Sequence, residues 1–182
     1  MKELLNIVNE QDEVIGEKDR VEIHKSGWLH REVHVYFVTP NREMIFQHRA
    51  KDKDTFPDLL NATVGGHVEI GQNYEETALK ETEEETGMKI AVSDLIFIRK
   101  RQKWSESPAT GNVNHNFLVQ YLYIYRRDIK DLKIEAGKAI GFEAMAIEKL
   151  SGLSKAEQAR FIPFVFEFTS TELAEFIKDL KL

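Results

Sequence analysis

Residues 65–88 read GGHVEIGQNYEETALKETEEETGM, a glycine pair that leads through a turn into an acid-rich segment. Glycine lets a backbone approach a ligand closely, because it carries no Cβ. The acid-rich segment predicts a helix from Tyr74 to Thr86. Asn73 is a suitable N-cap, Glu76 completes a capping box, and Gly87 is a typical left-handed stop. A glycine loop followed by an acid-loaded helix is typical of a ligand site.

The predicted helix carries a run of glutamates near its C-terminal end, at Glu81, Glu83, Glu84 and Glu85. Helical spacing places Glu81, Glu84 and Glu85 on one face, where like charges repel. The helix dipole disfavours anions at this end by roughly 0.3–1 kcal/mol each. A cation on that face removes both penalties, and carboxylate oxygens suit Mg²⁺. A solvated acidic surface is the alternative, but the glycine loop in front of the helix favours the metal site.

The composition excludes several classes of function. The chain has 182 residues, 42% of them hydrophobic, which fits one globular domain. It has no cysteine, which excludes a disulfide scaffold, a zinc-thiolate site and a thiol nucleophile and agrees with the cytoplasmic location that we expect. The net charge of -6 argues against non-specific nucleic-acid binding. No apolar run reaches membrane-spanning length, so we expect no membrane partner.

Patterns on both sides of the quoted stretch predict a mixed α/β fold. Residues 33–38 and 44–47 flank a polar turn, which predicts a β-hairpin. Residues 95–98 and 117–125 predict a second strand pair, and the second of these is so apolar that both of its faces should be covered. Helical spacing and composition predict that the chain ends in helices, over residues 154–160 and 170–182.

The quoted stretch resembles the Nudix box. Gly66 takes the place of the first glycine of that motif, and five further residues fall in register with it: Glu81, Glu84, Glu85, Gly87 and Met88. Three positions depart from the motif, because Gln72 replaces a glutamate, Lys80 an arginine and Thr82 an apolar residue. In the family, the first two of these positions are thought to brace the loop against the helix. The departures therefore concern the rate of reaction more than metal binding.

The resemblance implies a Nudix-type α/β/α sandwich with a mixed β-sheet, an N-terminal β-hairpin and C-terminal helices. We expect one domain over residues 1–182, divided into N-terminal strands or an extension (1–30), the Nudix core (31–150) and a C-terminal helical segment (151–182). The N-terminal strands and the apolar last helix are surfaces that a second copy of the chain can cover, so a homodimer is a hypothesis.

The chemistry that the resemblance implies is cleavage of a diphosphate bond, with Mg²⁺ or alternatively Mn²⁺ as the cofactor. The substrate would be a nucleoside-diphosphate-linked or similar small molecule. Glu84, Glu85 and the Gly66 carbonyl would hold the metal, with Glu81 as a further ligand or close neighbour. Either Glu85 or Glu81 would act as the base that activates water.

Substrate phosphates need positive or hydrogen-bonding groups near the metal. Arg49 and Lys51 follow the second strand of the predicted hairpin, and in the family the turn after this strand faces the site. His67 lies in the glycine loop itself. We therefore predict that Arg49, Lys51 and His67 bind substrate, with a solvated surface as the alternative for the two cations.

Two other functions remain open. The segment with His24 and His30 is similar to one in isopentenyl-diphosphate isomerase, a Nudix-fold relative in which two such histidines and one in the glycine loop bind a metal. That enzyme also needs a cysteine and two glutamates, and this chain has no cysteine and carries Asn114 and Asn116 instead of the glutamates. We therefore expect His24 and His30 to be surface or interface residues. The departures from the Nudix box favour a non-catalytic binding module as the other alternative.

Overall fold

The computed structural model describes residues 3–53, 55–107, 110–180 and 182. The strands are Leu4–Val8 (β1), Val14–Asp19 (β2), His30–Val38 (β3), Glu43–Arg49 (β4), Leu60–Asn61 (β5), Val64–His67 (β6), Ile96–Glu106 (β7), Val113–Ile124 (β8) and Ala139–Ala146 (β9). The α-helices are Arg20–Ser26 (α1), Tyr74–Thr86 (α2), Ile147–Leu150 (α3), Lys155–Gln158 (α4), Pro163–Ser170 (α5) and Glu172–Lys178 (α6). Single 3₁₀ turns lie at Val92–Asp94 and Ile129–Asp131.

The main sheet has seven strands and is mixed. Its strand order is β5-β4-β3-β8-β7, with β6 paired to β3 and β9 paired to β4. The central pair, β3 and β8, is parallel, and the other pairs are antiparallel. β1 and β2 form a separate antiparallel hairpin at the N-terminus. The predicted fold class is therefore confirmed.

Two hydrophobic layers cover the two faces of the sheet, as the alternation along β3 shows. Val35 and Phe37 point into one layer, which also contains Ala78 of α2. Tyr36 points into the other layer, which contains Phe168 of α5 and further residues of the C-terminal helices. Because both faces of the second half of β3 are buried, residues 35–38 are continuously apolar instead of alternating. β8 is covered on both faces in the same way, as its sequence predicts.

Local sequence signals define α2 well. The helix runs over Tyr74–Thr86, with a reciprocal capping box between Asn73 and Glu76 and with Gly87 in the left-handed conformation at φ 70°. The predicted helix is thus confirmed at both ends. The predicted hairpin is confirmed as β3 and β4, whose strands extend beyond the predicted ranges.

The elements that the sequence did not predict are those with weak apolar periodicity. Ile23 is the one buried residue of helix α1, all of whose residues the structure describes. The amphipathic pattern of this helix is therefore weak. β7 continues to Glu106 instead of ending near residue 98, and the sequence did not predict this extension because charged and polar residues interrupt the apolar run after Ile98. The predicted helix over 154–160 is only one turn, α4, and the segment before residue 170 forms the unpredicted helix α5. Among the described residues, no helix is long and apolar enough to cross a membrane.

Candidate active site

The glycine loop and the acidic helix face each other across a short distance. β6 pairs with β3 through Gly65 and Gly66, and α2 packs against both strands. A Cβ atom on Gly66 would lie 2.3 Å from the carboxyl carbon of Glu81, far closer than any real Cβ contact. The glycine is therefore needed because the Glu81 carboxylate occupies the space of a side chain.

The glutamates of α2 divide into an inner pair and an outer residue. Glu81 and Glu85 are one turn apart on the buried face, with side chains that are 8% and 2% exposed. Glu84 lies beside them, but it is 46% exposed and its carboxylate is 3.8 Å from the Lys80 ammonium. The three glutamates that the spacing places on one face of α2 therefore differ in burial: Glu81 and Glu85 are buried, and Glu84 is open to solvent.

The Glu85 carboxylate is held by groups from other elements. Its Oε2 accepts hydrogen bonds from Gln47 Nε2 at 2.8 Å and from the Gly65 backbone N–H at 3.3 Å. Burial raises the pKa of Glu85 to about 7, although the nearby Lys138 ammonium acts in the opposite direction. Burial also raises the pKa of Glu81, again opposed by Lys138.

The loop is braced against α2 through residues that differ from the family motif. The Lys80 ammonium donates to Glu69 at 2.5 Å, and Gln72 accepts a hydrogen bond from the Thr77 hydroxyl at 2.8 Å. Gln72 also donates to Glu69 at 3.2 Å. Glu69 therefore supplies the loop carboxylate that Gln72 lacks. Thr82, at the third departing position, is buried as an apolar residue would be.

Three histidines converge beside the glycine loop. Among the described residues, the group comprises His24 on α1, His30 at the start of β3 and His67 at the end of β6, with one possible ligand atom of each lying within 4.8 Å of the others. His24 Nε2 is 3.2 Å from His67 Nε2. The expectation that His30 lies on the surface or at an interface is wrong, because its side chain is fully buried. His24 is half-buried, and helix α1, which the sequence did not predict, carries it towards the sheet.

Backbone carbonyls fix the orientation of two of these rings. His24 Nδ1 is 3.2 Å from the Val113 carbonyl and His30 Nδ1 is 3.0 Å from the Trp28 carbonyl. Because a carbonyl only accepts, each Nδ1 carries the proton and each Nε2 keeps a lone pair. His30 Nε2 is buried without a hydrogen-bond partner among the described residues. Burial lowers the pKa of His30 to about 4, and burial also lowers the pKa values of His24 and His67.

A buried carboxylate lies next to the histidines. Glu32 accepts hydrogen bonds from the side-chain amides of Asn114, at 3.2 Å, and Asn116. Its carboxylate is also 3.5 Å from His34 Nε2. Burial acts to raise the pKa of Glu32, but the hydrogen bond from His34 and the charge of Lys103 hold it well below its usual range. Glu32 is therefore ionised at neutral pH and places a negative charge beside His67, its neighbour across β3 and β6.

The glycine loop, the three glutamates of α2, Glu32, His24 and His67 line one cavity of about 1470 Å³, whose wall also carries basic residues. They include Arg49, Lys53, Lys103 and Lys138. Arg49 donates to the Phe56 and Thr55 carbonyls, which orients its guanidinium within the wall. Lys51 points elsewhere: its side chain is 73% exposed and its ammonium lies 3.9 Å from Asp58. A substrate role for Lys51 stays a prediction.

Sequence reasoning missed several residues of the cavity. Gln47 follows three apolar residues of β4. Glu32 lies on β3 and Lys103 on β7, two strands that both pair with β8. Lys138 lies in a connection outside any motif. The distance of these positions from residues 65–88 along the sequence does not indicate that they lie near the site. The one available signal was that a buried strand such as β4 contains a polar residue, Gln47, near its end.

Comparison with known proteins places the chain in a family. A sequence model of the NUDIX domain matches residues 28–165. An uncharacterized Nudix hydrolase of Clostridium acetobutylicum is 28% identical over 153 residues, which cover 82% of this chain and 73% of that protein. An uncharacterized Nudix hydrolase of a Nostoc species is 39% identical over 87 residues, covering 47% of this chain and about half, 52%, of the relative. The chain belongs to the Nudix family.

Solved structures share the fold. A Deinococcus radiodurans protein superposes with a TM-score of 0.66 at 24% identity, covering 97% of this chain and 98% of its own. The NUDIX domain of Shewanella oneidensis NrtR, complexed with ADP ribose, has a TM-score of 0.60 at 10% identity, with 87% and 99% covered. At these identities the likeness concerns the fold alone.

Proposed function

We propose that this chain hydrolyses a diphosphate bond in a nucleoside-diphosphate-linked or similar small molecule, with Mg²⁺ or Mn²⁺ bound at α2. The observation that carries the proposal is the pair of buried carboxylates, Glu81 and Glu85, which face the glycine strand in a large cavity. Membership of a family of hydrolases that generally use divalent metal ions supports the same conclusion.

The residues fit a hard divalent cation. The Glu81, Glu84 and Glu85 carboxylates and the Gly66 carbonyl would hold it, since oxygen donors of this kind suit Mg²⁺. The tight contact between Gly66 and Glu81, which a side chain would abolish, supports a ligand role for this corner. When bound, the metal neutralises charge on the diphosphate and activates water.

Glu85 is our preferred proton acceptor, with Glu81 as the alternative. A general base works best when its pKa lies near the working pH, and burial brings the pKa of Glu85 to about 7. Gln47 and Gly65 hold one oxygen of this carboxylate in place. Its other oxygen, Oε1, accepts a hydrogen bond from Lys138 and is the atom that would take the proton from water when that contact opens.

The basic wall supports binding of a phosphorylated substrate by an otherwise acidic protein. Arg49, Lys53 and Lys103 of the cavity wall would offset the charge of the diphosphate, and His67 would be a further contact with the substrate. Burial disfavours the charged form of Lys103 and lowers its pKa, so a phosphate nearby would stabilise the ammonium. The ADP ribose bound by the NrtR domain motivates nucleoside-diphosphate compounds as the first substrates to test.

A screen with matched variants tests the proposal. Wild-type protein and the variants Glu81→Gln, Glu84→Gln and Glu85→Gln are incubated with Mg²⁺ and a panel of diphosphate compounds, and products are identified by mass. We expect a monophosphate-containing product, with turnover reduced at least 100-fold in Glu85→Gln. Glu83→Gln is the control, because Glu83 lies on the outer face of α2 and pairs with Lys89. Unchanged turnover in Glu84→Gln and Glu85→Gln would refute the proposal.

We also propose that His24, His30 and His67 bind a borderline divalent ion such as Zn²⁺. The supporting observation is the convergence of ring nitrogens, two of which keep lone pairs because their Nδ1 protons go to backbone carbonyls. Metal-binding histidines commonly show this pattern. The buried and unpartnered Nε2 of His30 fits the same role.

Cobalt titration tests this second site. Co²⁺ bound by imidazoles should give visible absorption, and His30→Asn should abolish it, because asparagine keeps a donor for the Trp28 carbonyl but has no counterpart of Nε2. His48→Asn is the control, since His48 contacts Asp58 away from the group. If His30→Asn binds Co²⁺ like the wild type, the second site is wrong.

The histidine group also bears on the two alternative functions. It supplies one feature of the isomerase hypothesis, but this chain has no cysteine and carries Asn114 and Asn116. Incubation with isopentenyl diphosphate decides the matter through the presence or absence of the dimethylallyl isomer. Tight binding of a diphosphate compound without metal-dependent turnover would instead favour the binding module.

A further inference from the structure

The lysine that contacts the inner glutamates comes from a distant and well-anchored part of the chain. Lys138 directly precedes β9, and its carbonyl accepts a hydrogen bond from the Ala50 N–H at 3.0 Å. Its N–H donates to the Glu135 carbonyl at 3.1 Å. The backbone of this connection is thus fixed to the end of β4, and it carries the ammonium to the buried face of α2.

The Lys138 ammonium bridges the two carboxylates. Nζ lies 2.9 Å from Glu81 Oε2 and 3.0 Å from Glu85 Oε1, and Glu135 Oε2 follows at 3.4 Å. Burial alone would lower the pKa of Lys138, but the charges of Glu85 and Glu81 raise it well above its usual range. The group is a fixed positive charge between the carboxylates that the proposed function assigns to the metal.

The carboxylate of Glu85 has little capacity for a further partner. Its Oε2 already accepts from Gln47 and from the Gly65 N–H, and its Oε1 accepts from Lys138. The bonds from Gln47 and Gly65 join α2 to the sheet, whereas Lys138 joins it to the connection before β9, so the ammonium is the partner that a cation at Glu85 Oε1 would meet. A divalent cation that binds Glu81 and Glu85 through these oxygens must therefore compete with the ammonium.

We propose that Lys138 is an internal counter-cation that holds Glu81 and Glu85 in place before metal binds and sets the metal affinity by competing for the same oxygens. Like a metal ion, it relieves the repulsion between two buried carboxylates. It thereby keeps the site assembled at the cost of weaker metal binding. The proposal rests on the proposed role of Glu81 and Glu85 as metal ligands.

Titration calorimetry with Mg²⁺ on wild type, Lys138→Met and Lys138→Arg tests the competition. Methionine keeps much of the lysine stem but removes the charge, so we expect Mg²⁺ to bind Lys138→Met at least tenfold more tightly than the wild type. Arginine keeps the charge, so its affinity should stay within threefold of the wild type. In EDTA, Lys138→Met should melt at a lower temperature than the wild type, and saturating Mg²⁺ should raise its melting temperature by more.

Reductive methylation gives an independent measurement on the wild type. Mass spectrometry should show slow modification of Lys138 in EDTA and faster modification with Mg²⁺, whereas Lys178, on the outer surface, should react at the same rate in both. Equal or weaker Mg²⁺ binding by a natively folded Lys138→Met overturns the proposal. If neither the wild type nor Lys138→Met binds Mg²⁺, or if Glu85→Gln binds it as the wild type does, the proposed function fails at the metal site itself.

Discussion

At the scale of single residues, Gly66 shows how one missing side chain permits a site. The Glu81 carboxylate lies in the space that a Cβ on Gly66 would occupy. Glu81 is held by the buried face of α2 and by Lys138, so it has no free direction in which to retreat. A side chain at residue 66 would therefore displace the Glu81 carboxylate and break its contact with Lys138.

We predict that Gly66→Ala lowers Mg²⁺ affinity and turnover at least tenfold and reduces the free energy of unfolding by about 1–3 kcal/mol, the usual cost of overpacking. Calorimetry and urea unfolding provide the measurements. Gly141→Ala is the matched control, because a Cβ at Gly141 meets nothing within 4 Å and its φ is not positive. Equal effects of the two substitutions would contradict the steric argument.

At the scale of elements, the glycine loop and α2 act as one unit because Glu69 joins them. The Lys80–Glu69 ion pair joins the helix to the loop, with the loop carboxylate at residue 69 and an amide at residue 72. The hydrogen bond that Lys80 donates to Glu69 raises the pKa of Lys80. Both side chains are about one-third to one-half exposed, so solvent screens the interaction.

A double-mutant cycle with Glu69→Gln and Lys80→Met measures this contact. We expect a coupling free energy of about 0.2–1 kcal/mol in urea unfolding, the range of exposed ion pairs. Each single variant should lose several-fold in turnover, because the loop that carries Gly66 becomes less firmly placed. The pair Lys178 and Glu175, on the outer surface, serves as the control cycle. A cycle without coupling would show that Glu69 does not brace the loop.

Elements whose signals are local were predictable from the sequence, and contacts between distant elements were not. The bounds of α2 follow from Asn73, Glu76 and Gly87, all of which act within one helical turn. The meeting of His24 with His67 depends on α1, whose single fully buried apolar residue gives almost no periodicity. Lys138 reaches α2 only because β9 pairs with β4. Pairing of this kind is set by tertiary packing, which no spacing pattern within residues 65–88 encodes.

At the scale of the whole molecule, two buried groups make stability depend on pH in opposite directions. The pKa of Glu85 is about 7 in the fold against an ordinary 4.5, so its ionisation penalises the folded state increasingly as pH rises from 4.5 to 7. The pKa of His30 is about 4 in the fold against 6.5, so its contribution to stability is lost as pH falls from 6.5 to 4. The two effects partly cancel in the overlapping range.

Urea unfolding in EDTA between pH 4.5 and 7.5 should separate these effects. Glu85→Gln has no carboxylate to ionise in the core. The free energy of unfolding of this variant, relative to that of the wild type, should therefore increase with pH by up to about 3 kcal/mol over this range. Glu83→Gln is the control, since Glu83 is on the solvent side of α2 and pairs with Lys89. A constant difference for Glu85→Gln would show that its carboxyl titrates normally.

The parallel pairing of β3 with β8 has a consequence for how the protein folds. His30 pairs with Asn116 and Val38 with Ile124, so the centre of the sheet joins residues that are far apart in the chain. Closing such a loop costs chain entropy before any contact rewards it, which makes pairing of this kind slow. The hydrogen bond between Glu32 and Asn116 spans this pair. We therefore expect α2 and the β3–β4 hairpin to form early, and the complete cavity wall to exist only after the slowest step of folding.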